Sequence, residues 1–161
     1  MKDNKSVDST INRENELWLV FRQANNLIYR ELEYELSQLG SATYSQASVL
    51  WVVKAIGEGA TPAEISRWLV RQQHAISMLL SQMEKKGLVI KTKDLERKNW
   101  VRVTLTDKGE EALRQAQKSE TIYRMVSCLS PEEQDCLKRH LLKLRGKALE
   151  LSGIKQEMAL P

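Results

Sequence analysis

Cysteine and histidine are scarce: Cys128 and Cys136 are the two cysteines in 161 residues, and His74 and His140 the two histidines. A disulfide scaffold needs more cysteines in a shorter chain, and a zinc site needs clustered partners. These four residues show no metal-ligand spacing, so the cysteines read as ordinary reduced thiols, with a redox sensor as the alternative. No apolar run approaches the ~20 residues that span a bilayer. The N-terminus, MKDNKSVDSTINREN, lacks the apolar core of a signal peptide. The default expectation is a cytoplasmic protein without a membrane partner. No Ser-His-Asp order, phosphate loop or pair of catalytic acids stands out. The expectation is therefore of no enzyme: no catalytic residue, no cofactor and no metal. Internal repeats and low-complexity segments are absent as well.

What is present is ordinary in amount and uneven in placement. Hydrophobic residues make up 42% and charged residues 29%, which suits a folded chain of one compact domain with appended helices. The net charge is only +4. Yet between Arg67 and Arg102 stand nine basic residues against three acidic ones, a local +6, so the rest of the chain is slightly acidic. A basic module in an acidic frame points toward a polyanion as partner.

Apolar residues at steps of three and four (Leu17, Val20, Phe21, Ala24, Leu27, Ile28) predict a first helix from about Ile11 to Leu39, ended by Gly40. At ~40 Å it is too long for one small core to cover. Three later helices are announced by Thr43-Tyr-Ser-Gln46, Thr61-Pro-Ala-Glu64 and Ser130-Pro-Glu-Glu133. Each sets a hydroxyl cap three residues before Glu or Gln, and Pro62 and Pro131 fall where a helix accepts proline. The second helix runs from Tyr44 to about Ile56, and the short third from Pro62 to about Val70. A fourth, RQQHAISMLLSQMEKKG, buries Ile76, Leu79, Leu80 and Met83 and ends at Gly87. A hairpin comes next, Leu88 to Lys93 and Trp100 to Leu105, alternating with period two. Thr106 caps a single fifth helix running through Leu129, and Ser130 caps a sixth lasting to about Leu151.

A short helix, a tight turn, a second helix and a charged hairpin make a winged helix-turn-helix. A helix fits the major groove of duplex DNA, where base edges present distinguishable donors and acceptors. The exposed face of the fourth helix carries Gln73, His74, Ser77, Met78 and Ser81, small or hydrogen-bonding groups with little acid. Its first turn, Arg71-Gln72-Gln73, has no Ser, Thr, Asp or Asn cap, which leaves free amides for a phosphate. The hairpin KTKDLERKNWVRVTL holds Arg97 and Lys98 near its tip, within reach of the backbone or the adjacent minor groove. Candidate DNA contacts are Thr61, Arg71, Gln72, Gln73, His74, Ser77, Met78, Ser81, Lys93, Arg97 and Lys98. Alone, a basic hairpin is as often a solvated surface. The helix pair before it tips the balance toward DNA.

From Thr43 to Gly109 the chain resembles the MarR family of bacterial transcription regulators. The residues that carry the likeness are Ile65-Ser-Arg-Trp-Leu69, Ile76-Ser-Met-Leu-Leu80, Met83-Glu-Lys-Lys-Gly-Leu-Val89, Asp94 to Lys98, and Val103-Thr-Leu-Thr-Asp-Lys-Gly109. The family wing usually reads Asp-x-x-Asp-Arg-Arg. Here Asp94-Leu-Glu-Arg-Lys98 is one residue shorter, with Glu96 and Arg97 matching the second acid and first arginine.

The resemblance implies a mainly α fold with a small β-hairpin wing, a winged helix-turn-helix flanked by N- and C-terminal dimerisation helices. The expected organisation is a flexible N-terminus (1–10), a dimerisation helix (11–42), the DNA-binding domain (43–108), C-terminal dimerisation helices (109–152) and a tail (153–161). It further implies a homodimer on operator DNA, most often as a repressor, and a small-molecule effector site between dimer helices and DNA-binding lobe. Trp18, Phe21 and Trp51 are candidates to line that site, although tryptophans at helical spacing are more often packing residues. Two other readings compete. A winged helix can bind protein instead, without the steep salt dependence of phosphate contacts. A redox switch through Cys128 or Cys136 is disfavoured, because the family's peroxide sensors keep their cysteine near the N-terminal helices, which have none here.

Overall fold

The computed structural model describes residues 4–40, 42–93 and 100–153, with side chains from residue 12 onward. Among these residues, seven α-helices and one antiparallel hairpin occur in the order α1 (Asn4–Gln38), α2 (Tyr44–Ile56), α3 (Pro62–Leu69), α4 (Gln73–Lys85), β1 (Val89–Lys93), β2 (Val101–Leu105), α5 (Asp107–Ala116), α6 (Thr121–Val126) and α7 (Pro131–Leu151). The first helix begins at Asn4 rather than Ile11, so residues 4–10 are helical where frayed chain was expected. Residues 1–3 and 154–161 lie outside the described residues.

Local chemistry sets most of the boundaries. Thr43 and Ser130 form complete capping boxes with Gln46 and Glu133. Thr61 accepts the Glu64 amide at 3.2 Å, but the Glu64 carboxylate turns instead to Arg67. The first helix stops at Gly40 (φ 62°), a left-handed position that glycine adopts without a Cβ penalty. Between α3 and α4 the left-handed residue is Val70 (φ 50°, ψ 44°), a β-branched side chain in a conformation that disfavours it.

The core is that of the winged helix. Val49, Leu50, Val52 and Val53 of α2 pack against Ile65, Ile76, Leu80 and Met83, with Leu88, Val89 and Val103 of the hairpin closing one side. Burial of each such side chain stabilises by about 1.5–3 kcal/mol. The hairpin pairs Val89 with Leu105 and Lys93 with Val101. Strand β2 is tied to the body by the Val103 amide, which donates to Ala60 O at 2.8 Å. Helix α5 comes so close that a Cβ on Gly109 would lie 2.0 Å from Leu88 O.

The expected fifth helix is two. The break falls after Ala116, and α6 starts at Thr121 because a carboxylate from α1 caps it. Glu35 accepts from the Ser119 hydroxyl (2.5 Å), the Glu120 and Thr121 amides (3.1 and 3.0 Å) and the Thr121 hydroxyl. Arg124 stands 3.6 Å away. These bonds hold the Glu35 carboxyl down at about 2, well below its ordinary 4.5.

Little of α1 joins this core. Leu32 and Leu36, in its last turns, are buried, while Leu17, Trp18, Val20, Phe21 and Leu27 are exposed. On α7, Leu137, Leu141, Leu142, Leu144 and Leu151 are exposed too. Helices α1 and α7 thus present apolar faces that the winged helix does not cover.

Candidate nucleic-acid interface

Helix α4 is held by its apolar stripe, Ile76, Leu80 and Met83, each fully buried. That anchoring turns the opposite stripe outward: Gln73, His74, Ser77 and Met78 are exposed, and Ser81 is half-buried. No side chain caps the helix. Gln72 precedes it in extended geometry, without a hydrogen bond from its side chain to the first turn. The free amides of that turn therefore point out beside exposed Arg71, Gln72 and Gln73.

Two contacts position these groups. The Ser66 hydroxyl donates to Arg71 O at 2.6 Å, and the Arg71 amide returns a bond to Ser66 O at 3.0 Å, locking the turn between α3 and α4. The Arg71 guanidinium reaches Ser45 of α2 at 3.4 Å. At the other end, Lys91 of β1 sits 2.9 Å from the Glu84 carboxylate and donates to the Ser81 hydroxyl at 3.2 Å. The lysine thereby braces the wing on the last turns of α4. The sequence marks Lys91 only as one charge among many, and nothing local in it announces this brace.

The sequence-derived contacts divide accordingly. Arg71, Gln72, Gln73, His74, Ser77 and Met78 share one exposed surface, with Ser81 at its edge and exposed Lys93 on the adjoining strand. Thr61 is separate from them: it is buried at 9% exposure, and its hydroxyl caps α3. Arg97 and Lys98, with Asp94 and Glu96, lie outside the described residues.

A cavity of about 260 Å³ lies among the other helices. Its lining comes from α1 (Leu32, Leu36), α2 (Tyr44, Ala47, Ser48, Trp51), α5 (Leu113, Ala116), the turn after it (Gln117, Ser119) and α6 (Ile122). None of these lining side chains is charged. Of the three aromatic residues expected to line an effector site, Trp51 forms part of this wall. Trp18 and Phe21 do not. They stack on each other at 5.8 Å, about three to four helical turns from Leu32 along α1. The remaining lining residues escaped sequence reasoning because they come from four helices and read, one by one, as ordinary core.

A helix pair with an outward polar face, joined to a braced hairpin, defines a winged-helix DNA-binding protein. A family model described as the winged helix DNA-binding domain matches residues 43–109. The organohalide-sensing transcriptional regulator RdhR, solved in its 2,4-dichlorophenol-bound form, is 31% identical over 92% of this chain and 88% of its own, with a TM-score of 0.83. The S. aureus MepR–DNA complex is 25% identical over 80% and 94% (TM-score 0.71). A mutant MarR from E. coli complexed with operator DNA shares the fold at 24% identity over 83% and 96% (TM-score 0.75). No curated protein sequence matches the chain significantly. The chain belongs to the MarR family of winged-helix transcription regulators. Among the described residues no helix is long and apolar enough to cross a membrane.

Proposed function

We propose that this MarR-type regulator acts as a homodimeric repressor on a pseudo-palindromic operator, and that a small uncharged aromatic molecule releases it. In this reading α4 enters the major groove, with Gln73, His74, Ser77 and Met78 toward base edges. Arg71, Gln72 and the free amides of the first turn meet phosphate. Lys93, Arg97 and Lys98 bring the wing to the backbone or the adjacent minor groove. Two copies related by a two-fold axis set the half-sites about 34 Å apart. The observation that carries the reading is the α4 surface: four adjacent exposed side chains, almost free of acid, on a helix whose first turn has no cap. The apolar faces of α1 and α7 support pairing of two chains.

The cavity supports release by an effector. Its walls are aliphatic and aromatic, with the hydroxyls of Tyr44, Ser48 and Ser119 and the Gln117 amide as its polar groups. That chemistry suits a phenol, and 2,4-dichlorophenol is the molecule bound in the RdhR structure. Selection from a pool of random duplexes, then footprinting, tests the proposal. The expected result is a protected palindrome whose affinity falls steeply with salt, by about 0.9 in log K per neutralised phosphate. A protein-interaction module would enrich no sequence and show a shallow salt slope. Added 2,4-dichlorophenol is expected to weaken the complex.

A further inference from the structure

We propose that Trp68 is the positioning residue through which occupancy of the cavity reaches the DNA-reading helices. This inference rests on the operator reading and adds its regulation. Trp51 of α2 is part of the cavity wall. Its ring meets that of Trp68 edge-on, centroids 6.1 Å apart at 61°. Trp68 lies in α3, the first helix of the helix-turn-helix, and packs against the buried core. One contact therefore links the cavity to the unit that presents α4.

The turn beyond Trp68 has little slack. It is closed by the paired Ser66 and Arg71 bonds and by the Val70 amide on Arg67 O at 3.1 Å. A turn closed by three hydrogen bonds transmits a displacement rather than absorbing it. A molecule in the cavity that shifts the Trp51 ring must move Trp68, and α3 then carries α4 with it. A parallel route exists through Arg71 and Ser45, which does not use the tryptophan pair.

A double-mutant cycle separates the two routes without a known effector. Ala116→Leu, on the α5 wall, fills part of the cavity in place of a ligand. Operator affinity is measured by anisotropy, on the tightest duplex selected from a random pool, for the native chain, A116L, W68A and W68A/A116L. W68F and W68F/A116L serve as the conservative control, and urea midpoints verify that each variant folds. A116L is expected to weaken DNA binding about five-fold or more in the native background. Its effect should drop below about two-fold with W68A and return with W68F. Added 2,4-dichlorophenol should show the same pattern. Equal effects of A116L with and without Trp68, or no effect in the native background, overturn the relay and leave the operator reading standing. A native chain that enriches no duplex overturns both.

Discussion

The Glu35 carboxylate of α1 accepts the Thr121 amide at 3.0 Å, so one helix supplies the cap that begins another. Thr121 itself is buried at 3% exposure, and the same carboxylate takes its hydroxyl. The contact fixes where α5 ends and α6 begins. It also ties the last turn of α1 to the rim of the cavity, since Leu36 and Ser119, on either side of it, both line that space.

Glu35→Gln keeps the size of the side chain but sets an amide donor against backbone donors. A loss of about 1–3 kcal/mol at pH 7 is expected from urea unfolding. The folded carboxyl is held at about 2, below its ordinary 4.5, so its contribution is present above pH 4.5. It fades as the pH falls from there toward 2. The stability gap between native chain and E35Q should close over that interval. A gap that stayed constant to pH 2 would exclude the ionised carboxylate as its source.

Gly109→Ala tests the seat of α5. The added Cβ would meet Leu88 O at 2.0 Å, a backbone atom that cannot rotate away. The Thr106 amide also uses that oxygen, at 3.2 Å. A destabilisation of at least about 2 kcal/mol is expected, read as a lower urea midpoint. An unchanged midpoint would contradict the close packing of α5 on the hairpin.

Val70→Gly has the opposite sign. Left-handed geometry costs a β-branched residue about 1–2 kcal/mol, while glycine loses about 0.5–1 kcal/mol more chain entropy on folding. A small net gain, between about 0 and 1.5 kcal/mol, is expected in thermal or urea unfolding. Marked destabilisation would mean that the half-exposed Val70 side chain packs more than its 48% exposure implies.

Gln73→Ala and Lys93→Ala should separate base reading from phosphate contact. Gln73→Ala is expected to relax preference at one position per half-site, worth about 1–3 kcal/mol of discrimination. Lys93→Ala should weaken all duplexes alike and lower the salt slope by about 1. Arg97→Ala is expected to behave like Lys93→Ala. Competition assays on single-base operator variants, repeated at several salt concentrations, distinguish the outcomes.

Leu141→Glu with Leu144→Glu places charge on the exposed apolar face of α7. Sedimentation is expected to show a shift from dimer to monomer at micromolar concentration, with the winged helix still folded. A variant that sediments like the native chain would remove α7 from the pairing surface.

The winged helix was largely legible in advance, because its signals are local. Thr43, Thr61 and Ser130 cap helices at the expected places, and the stripe Ile76, Leu80, Met83 is buried. The uncapped first turn of α4 was visible as a missing residue type. The division of α5 from α6 was not, since the capping carboxylate stands some 85 positions earlier. A hint was present in Ser119 and Thr121, hydroxyls that compete with helical hydrogen bonds in mid-pattern. The cavity was legible only at Trp51. Trp18 and Phe21 are just as aromatic, but the length of α1 carries them away from it.

That length has a thermodynamic consequence. Leu17, Trp18, Val20 and Phe21 are exposed, so the outer half of α1 gains little from the folding of residues 43–113. An isolated helix of that kind is marginal in water. Where a second molecule supplies the missing contacts, helix content becomes a function of mass action. Dilution should then melt the outer half of α1 well before it touches the DNA-reading unit.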